Sequence, residues 1–297
     1  MADGEIPQTS LSVLIVNWNT REWLVRCIDS IHRFPPGVPY EIIVVDNASS
    51  DGSAEAVREM GITLRAEQTN HGYARGNNLA FQVARGDWLL TLNPDTEVTE
   101  GALDTALERL RNHPKHACLG AKLIDPEPPY ASQRSVRGFP SVLGILGMLT
   151  GLDKRFPRGT LGSYSLPGFD YELEQNAPQP MGTFLLFRRA ALATIGDPTS
   201  PFDERFPIFF NEVDLLARLA KNGWSTLYCP EVQIVHLGGA STRQARPQMI
   251  WESHRSLIRY LVKHTRRTAR LLLPGLALVI WLGAWVRARS YHRGFRA

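Results

Sequence analysis

Cysteine is scarce in this 297-residue chain: Cys27, Cys118 and Cys229 are the only three, far apart and odd in number. They form no CxxC pair, so neither a disulfide framework nor a cysteine zinc site is at hand, and a reducing compartment is expected. The first apolar run is not followed by the glycine fingerprint (GxGxxG or GxG) that a dehydrogenase or methyltransferase would carry. A nucleotidyltransferase would need a Gly-rich, Lys/Arg-bearing loop there, and that is missing as well. The N-terminal MADGEIPQTS has neither the basic nor the apolar region of a secretory signal, so the body is expected in the cytosol.

A large net charge is also lacking, at +4 for the whole chain. The distribution is uneven. From Arg243 onward lie 12 of the 33 Lys and Arg residues and a single acid, Glu252, so this tail carries +11 and the preceding 242 residues carry −7. That split excludes a uniformly basic nucleic-acid binder and expects the tail to meet an anionic surface. The 43% hydrophobic and 21% charged content is globular, and the length suits one large α/β domain or two small ones.

Short β-branched apolar runs alternate with helical patterns over the first 112 residues. Strands are predicted at Leu11–Val16, Glu41–Asp46, Ile62–Ala66 and Trp88–Leu92. Helices are predicted through Trp23–Ile31, Ser53–Met60, Ala74–Ala84 and Gly101–Asn112. This pitch implies a Rossmann-like, mostly parallel sheet covered by helices on both faces. Residues 125–180 break the rhythm with many prolines and one apolar island, Val142–Leu152, and read as a functional loop or lid. Regular structure resumes at Thr183–Phe187, with a helix at Asp214–Asn222 and a strand pair near Trp224–Tyr228 and Val232–His236.

In open α/β sheets ligands sit beyond the carboxyl ends of the strands. Asn17-Trp18-Asn19 follows the first predicted strand, and Asp46-Asn47-Ala48-Ser49-Ser50-Asp51-Gly52-Ser53 follows the second. Asp46 can accept from a ribose hydroxyl or a base imide, although such acids also cap helices. Gly72-Tyr73-Ala74-Arg75-Gly76-Asn77-Asn78 opens a helix whose free N–H groups favour anions. Asn93-Pro94-Asp95-Thr96 follows the fourth strand, where Asp95 suits either a turn or a divalent ion completed by phosphate oxygens. Glu212 follows an aromatic wall, Phe206 to Phe210, that would desolvate it and raise its pKa toward general-base work. Asp214 is accounted for by the helix dipole. His236 closes an apolar strand and is either structural or a metal ligand.

Read in order, VLIVNWN, VVDNASSDGS, GYARGNN, LLTLNPDT, GTFLLFRR, PFDERFPIFFNEVDLLARL and His236-Leu237-Gly238-Gly239 resemble the GT-A glycosyltransferases of family 2, most closely their rhamnosyltransferase-like branch. The resemblance runs over about residues 10–245. It implies a GT-A domain over 1–245, with a nucleotide-binding half at 10–124 and an acceptor half at 125–245, and an inverting, metal-dependent transfer from a nucleotide-diphosphate sugar, with dTDP-rhamnose the expected donor. Carried over by position, Asp46 would contact the base, with Asn17, Asn47 and Asn93 beside the nucleotide sugar. Arg75 and Asn77 would lie next to the nucleotide and diphosphate. Asp95 matches the last acid of the DxD motif and would hold Mg²⁺ or Mn²⁺, His236 would complete the metal site, and Glu212 would deprotonate the acceptor hydroxyl. The chain departs from the pattern twice: Asn93 stands where the first DxD acid belongs, and Asn211-Glu212 replaces the usual acid pair. A non-catalytic sugar-nucleotide-binding or scaffolding protein of the same fold is the competing reading.

Residues 246–297 form a tail of different character. Met249–His264 reads as a basic amphipathic helix, and Leu271–Val286 is an uncharged run bracketed by Arg270 and Arg287. Sixteen residues of helix span about 24 Å, short of the roughly 30 Å hydrocarbon core. The expectation is a helix lying in the cytoplasmic leaflet, with a short true span or a buried core helix as the alternatives. A glycan or polyprenyl-linked acceptor at that membrane face follows from the resemblance.

Overall fold

The computed structural model describes residues 10–238, 246–265 and 267–292. Residues 1–9, Gly239 of the downstream histidine motif, and Arg243, Arg266, Arg293 and Arg296 of the basic tail lie outside the described residues.

The first half follows the expected alternation. In chain order it runs β1 (Leu11–Asn17), α1 (Arg21–Arg33), β2 (Tyr40–Asp46), α2 (Ser53–Val57), β3 (Thr63–Ala66), α3 (Tyr73–Val83), β4 (Trp88–Leu92), β5 (Thr96–Val98), α4 (Ala102–Asn112) and β6 (His116–Ile124). Every residue of β1 and β4 is buried, as β-branched strands covered on both faces must be. Leu24, Cys27, Ile28 and Ile31 form the buried stripe of α1, at helical spacing. Each such side chain contributes about 1.5–3 kcal/mol by leaving water.

The second half brings β7 (Val136–Arg137), α5 (Val142–Thr150), α6 (Leu152–Arg155), β8 (Gln175–Asn176), β9 (Gln179–Pro180), β10 (Phe184–Arg188), α7 (Arg189–Ala193), α8 (Asn211–Lys221), β11 (Ser225–His236), α9 (Arg246–His264) and α10 (Leu273–His292). The main sheet has the order β3-β2-β1-β4-β10-β6-β11-β5, with β8 attached to β11. Strands β3, β2, β1 and β4 are parallel, and β6 pairs in parallel with β11. Strand β10 runs antiparallel between β4 and β6, and β5 antiparallel to β11. Strands β7 and β9 form a separate two-stranded ribbon.

Several expectations need correction. Strand β6 was not anticipated, because Gly120 weakens its strand pattern; that glycine is required by contact, since a Cβ there would meet the Pro180 ring at 2.4 Å. The predicted strand pair is a single strand, β11, with a register shift between Cys229 and Gln233. The helix at 53 ends at Val57, and α8 begins at Asn211, before the predicted start.

Asp214 is more than a dipole partner. Its buried carboxylate takes Arg218 Nε at 2.8 Å, Lys263 Nζ at 2.6 Å and His264 Nε2 at 2.7 Å. Lys221 Nζ lies 2.7 Å from His264 Nδ1, and an ammonium can only donate, so the imidazole is neutral and gives its Nε2–H to Asp214. Burial alone would raise the Asp214 pKa, but the hydrogen bonds from His264 and Lys263 and the charge of Arg218 hold it below the ordinary value. Tyr260 of α9 packs with Phe206, Val213 and Ala217 beside this cluster. Helix α9 is thereby bolted onto α8 and shares a core with the body.

Removing one partner of such a buried cluster strands the others. Asp214→Ala is expected to cost about 3–5 kcal/mol, read as a fall in thermal midpoint. Because the folded carboxyl titrates below its unfolded value of about 3.9, its stabilisation is present above that pH and is lost as the pH falls through the folded value. A thermal midpoint of Asp214→Ala equal to wild type at pH 7 would contradict the assignment.

Candidate active site

The carboxyl ends of β1, β2, β4, β6 and β11 reach one edge of the sheet, and reversed β10 begins there. A cavity of about 440 Å³ opens at this edge. Asn93, Asp95 and His236 border it on one side, Gly182 and Thr183 at the start of β10, and Phe209, Phe210, Asn211 and Glu212 at the head of α8.

Asp95 and His236 are both buried, with Asp95 Oδ1 3.8 Å from His236 Nε2. Strand β5 sets this approach by pairing Thr96 with His236, and the Leu237 N–H donates to the Asp95 carbonyl at 3.1 Å. Gln133 fixes the imidazole. Its Nε2 donates to Asp125 Oδ1 at 2.8 Å and to the His236 carbonyl at 2.9 Å, so its Oε1 must accept from His236 Nδ1 at 2.8 Å. The Nε2 lone pair is left facing Asp95. Burial lowers the His236 pKa, against the opposing pull of Asp95 and Asp125, which keeps the ring neutral. A carboxylate oxygen and a neutral imidazole nitrogen, the latter held by an outer hydrogen bond, form a donor set that fits a divalent ion whose other positions go to phosphate and water. Among the described residues no group of three His, Cys, Asp or Glu gathers to hold a metal.

Glu212 sits one residue into α8, behind two consecutive non-glycine residues in the left-handed region, Phe209 and Phe210, each at φ 60°. Such strain persists only where surrounding packing enforces it; here Phe210 packs on Tyr260 of α9. Burial pushes the Glu212 pKa up. Tyr73 joins the two sides of the cavity: its hydroxyl donates to Asn93 Oδ1 at 2.9 Å, and burial together with the charges of Glu212 and Asp95 raises its pKa.

The other expected site residues lie outside this cavity's lining. Asn17 Nδ2 donates to Asp46 Oδ1 at 2.8 Å, and Ser49 gives both its N–H (2.9 Å) and its hydroxyl (2.6 Å) to the same carboxylate, which is 2% exposed. Asn47 clasps the turn before α3, donating to the Gly72 carbonyl and accepting from the His71 N–H. Asn77 is buried within α3, its Nδ2 on the Tyr73 carbonyl and its Oδ1 without a partner among the described residues. Arg75 is exposed. The N-terminus of α3 is partly occupied, since the Ala74 N–H donates to the Pro207 carbonyl at 3.1 Å. Gln133, Arg134, Arg137, Tyr164 and Gly182 border or support the cavity without having been singled out. Most come from the proline-rich stretch, where no local pattern marks a role.

The sequence pattern of the family described as Glycosyl transferase family 2 matches residues 12–196. The chain belongs to that family. This family 2 glycosyltransferase is similar to the N-acetylglucosaminyl-diphospho-decaprenol L-rhamnosyltransferase of Mycobacterium tuberculosis, 27% identical over 268 residues, covering 84% of this chain and 83% of that protein. It is also 27% identical over 238 residues to the O-antigen biosynthesis protein RfbC of Myxococcus xanthus, covering 77% of this chain but 17% of that protein. Among solved structures it is similar to the mannosyltransferase PcManGT from Pyrobaculum calidifontis in complex with GDP-Man and Mn²⁺. The TM-score is 0.59 at 17% identity, over 99% of this chain and 77% of that one. The mixed, mostly parallel sheet is therefore the GT-A fold expected from the sequence motifs.

Gly182 gives Glu212 its room, since a Cβ there would stand 3.1 Å from Glu212 Cγ. Gly182→Ala should displace the carboxylate by a few tenths of an ångström. About a tenfold loss of turnover is expected, with the thermal midpoint little changed. Unchanged turnover would show that the carboxylate's position is not set by this contact.

Proposed function

We propose that the protein is an inverting glycosyltransferase that moves a sugar, with rhamnose from dTDP-rhamnose the favoured donor, onto a lipid-linked glycan acceptor. The observation that carries this reading is the single cavity bordered by Asp95 and His236 on one side and Glu212 on the other. Asp95 and His236 would hold Mg²⁺ or Mn²⁺, which supplies positive charge to the leaving diphosphate. Glu212, its pKa raised by burial, takes the acceptor hydroxyl proton as that oxygen attacks the anomeric carbon from the face opposite the diphosphate. The bond from the anomeric carbon to the diphosphate oxygen breaks as the new glycosidic bond forms, so no covalent sugar–enzyme species is required. Asn17, Asp46 and Asn47 shape the rim on which the nucleotide would rest, with Arg75 and Asn77 on the neighbouring helix and Asn93 oriented by Tyr73. The relative acting on a decaprenyl diphosphate acceptor supports a lipid-linked substrate.

The same reading puts the enzyme on the cytoplasmic face of an anionic membrane. The stretch Ala269–Arg289 is long and apolar enough to cross a bilayer, yet α10 is committed on one side. Leu276, Ile280, Ala284 and Ala288 are buried at four-residue intervals, and Leu276 and Ile280 pack with α5 and α9. Leu278, Val279, Leu282 and Trp285 remain exposed on the other side, with exposed Leu143 and Leu149 on α5. A helix docked lengthwise on the body favours lying in the leaflet over spanning it, and exposed Arg270, Arg287 and Arg289 add about 1 kcal/mol each at an anionic surface.

Glu212→Gln tests the chemistry. Nucleotide-sugar binding by calorimetry should be retained while turnover falls by about 10²–10⁴-fold. Wild-type rate should decline as pH falls through a value above the ordinary glutamate range. Retained turnover in Glu212→Gln would favour a different base, and absence of turnover in the wild type would favour the binding-protein reading. For the membrane, Leu282→Glu with Trp285→Glu should abolish flotation with phosphatidylglycerol vesicles. Undiminished flotation would remove α10 from the docking surface.

A further inference from the structure

The cavity has a wall that the transfer chemistry above does not use. The ribbon of β7 and β9 roofs it, with Arg137 paired to Gln179 and the Met181 N–H donating to the Ser135 carbonyl at 2.8 Å. Val136 is buried beneath, in a cluster with Ala177 and Tyr228. Alternation along the strand then turns Ser135 and Arg137 to the opposite side, where both border the cavity together with Arg134. Neither arginine forms an ion pair among the described residues, and both are exposed. Ser135 is 5% exposed, and among the described residues neither its hydroxyl nor the Oε1 of Gln179, the ladder partner of Arg137, has a hydrogen-bond partner. Unpaired buried polar atoms are costly, and water, an ion or a ligand completes their bonding.

Tyr164 ties this wall to the apolar side of the molecule. The Arg137 guanidinium lies over its ring, 5.6 Å from the centroid. The same ring belongs to the cluster that joins Val142 and Ile145 of α5 to Leu276 and Ile280 of α10. Tyr164, the two arginines and Glu212 all border the one cavity, so an apolar approach along α5 and α10, a pair of cations and the candidate base share one space. Those three parts match the parts of a lipid-diphosphate-linked sugar: chain, phosphates and hydroxyl.

We propose that Arg137 and Arg134, with the Ser135 hydroxyl, form a binding site for the diphosphate of the lipid-linked acceptor, separate from the Asp95–His236 side that faces the donor. The site rests on the glycosyl-transfer reading for its biological acceptor, but its chemistry is testable without turnover. Two guanidiniums offer the forked donors that phosphate oxygens accept bidentately, which a single lysine would not. The Ser135 O–H adds a third donor, and Tyr164 screens the site from water on the lipid side.

The test uses the full-length protein and geranyl diphosphate, a soluble diphosphate bearing a short isoprenoid chain. Calorimetry should show binding by the wild type and much weaker binding of geraniol. Arg137→Gln should weaken geranyl diphosphate about tenfold or more, Arg134→Gln with Arg137→Gln further still, and Arg137→Lys should restore only part of the loss. Binding of dTDP, UDP or GDP with Mn²⁺ should stay within about twofold in every variant, and matching thermal midpoints will show that the variants fold. Failure of the wild type to bind geranyl diphosphate, or equal binding by the double variant, overturns the proposal. Loss of nucleoside diphosphate binding in the arginine variants also overturns it, by assigning the pair to the donor. None of these results touches the role of Glu212, which the Glu212→Gln kinetics decide independently.

Discussion

Strand β10 runs against its neighbours, and most of the site depends on that reversal. It is wedged between β4 and β6, pairing Phe184 with Leu92 and Leu185 with Gly120. A strand entering the sheet at the edge where the others leave brings its own preceding residues, Gly182 and Thr183, to the mouths of β1 and β4. The Asn93 N–H donates to the Thr183 carbonyl there. The chain leading into β10 is the β7–β9 ribbon, so the reversal also carries Arg137 and Gln179 over the cavity. A parallel strand in the same slot would have delivered its carboxyl end and left the cavity without a roof.

Two further couplings turn this edge into a closed arrangement. Strand β5 pairs antiparallel with the end of β11, so the turn at Asp95 faces His236 across a ladder. On the other side, the head of α8 is set by left-handed Phe209 and Phe210, and Phe210 packs with Phe206 and with Tyr260 of α9. The Asp214 cluster fastens α9 to α8 within one turn of Glu212. The geometry of the candidate base is thus linked to a helix from the C-terminal fifth of the chain. The same helix supports α10, so the position of the apolar surface relative to the cavity is fixed by packing and by buried charge.

Buried polar groups divide into two kinds around the rim. Asn17, Thr20, Asp46 and Ser49 satisfy one another, Asn47 bonds the turn before α3, and together they hold the loops after β1 and β2 in place. Ser135, Gln179 and Asn211 border the cavity with side-chain oxygens that no group among the described residues satisfies. The first set acts as scaffold for whatever lies on it. The second lies along the roof and at the α8 head, where its oxygens are open to water or to a bound molecule.

What the sequence determined by itself is the part governed by local rules. Alternating runs gave β1 to β4 and their helices within a few residues, because strand and helix periods differ and fully buried strands read as unbroken apolar segments. Asp95, Glu212 and His236 could be picked out as polar residues placed at the ends of such segments. Their convergence on one cavity was expected only through the resemblance and not from local pattern, since it depends on the order in which strands pair and on the reversal of β10. Strand β6 was hidden because Gly120 answers to Pro180, some sixty residues away. The Asp214 partners, the hold of Gln133 on His236 and the arginines of the β7–β9 ribbon were invisible for the same reason. Hydrogen bonds and ion pairs between distant segments leave no periodic trace in the chain, and only tertiary packing brings their partners within reach.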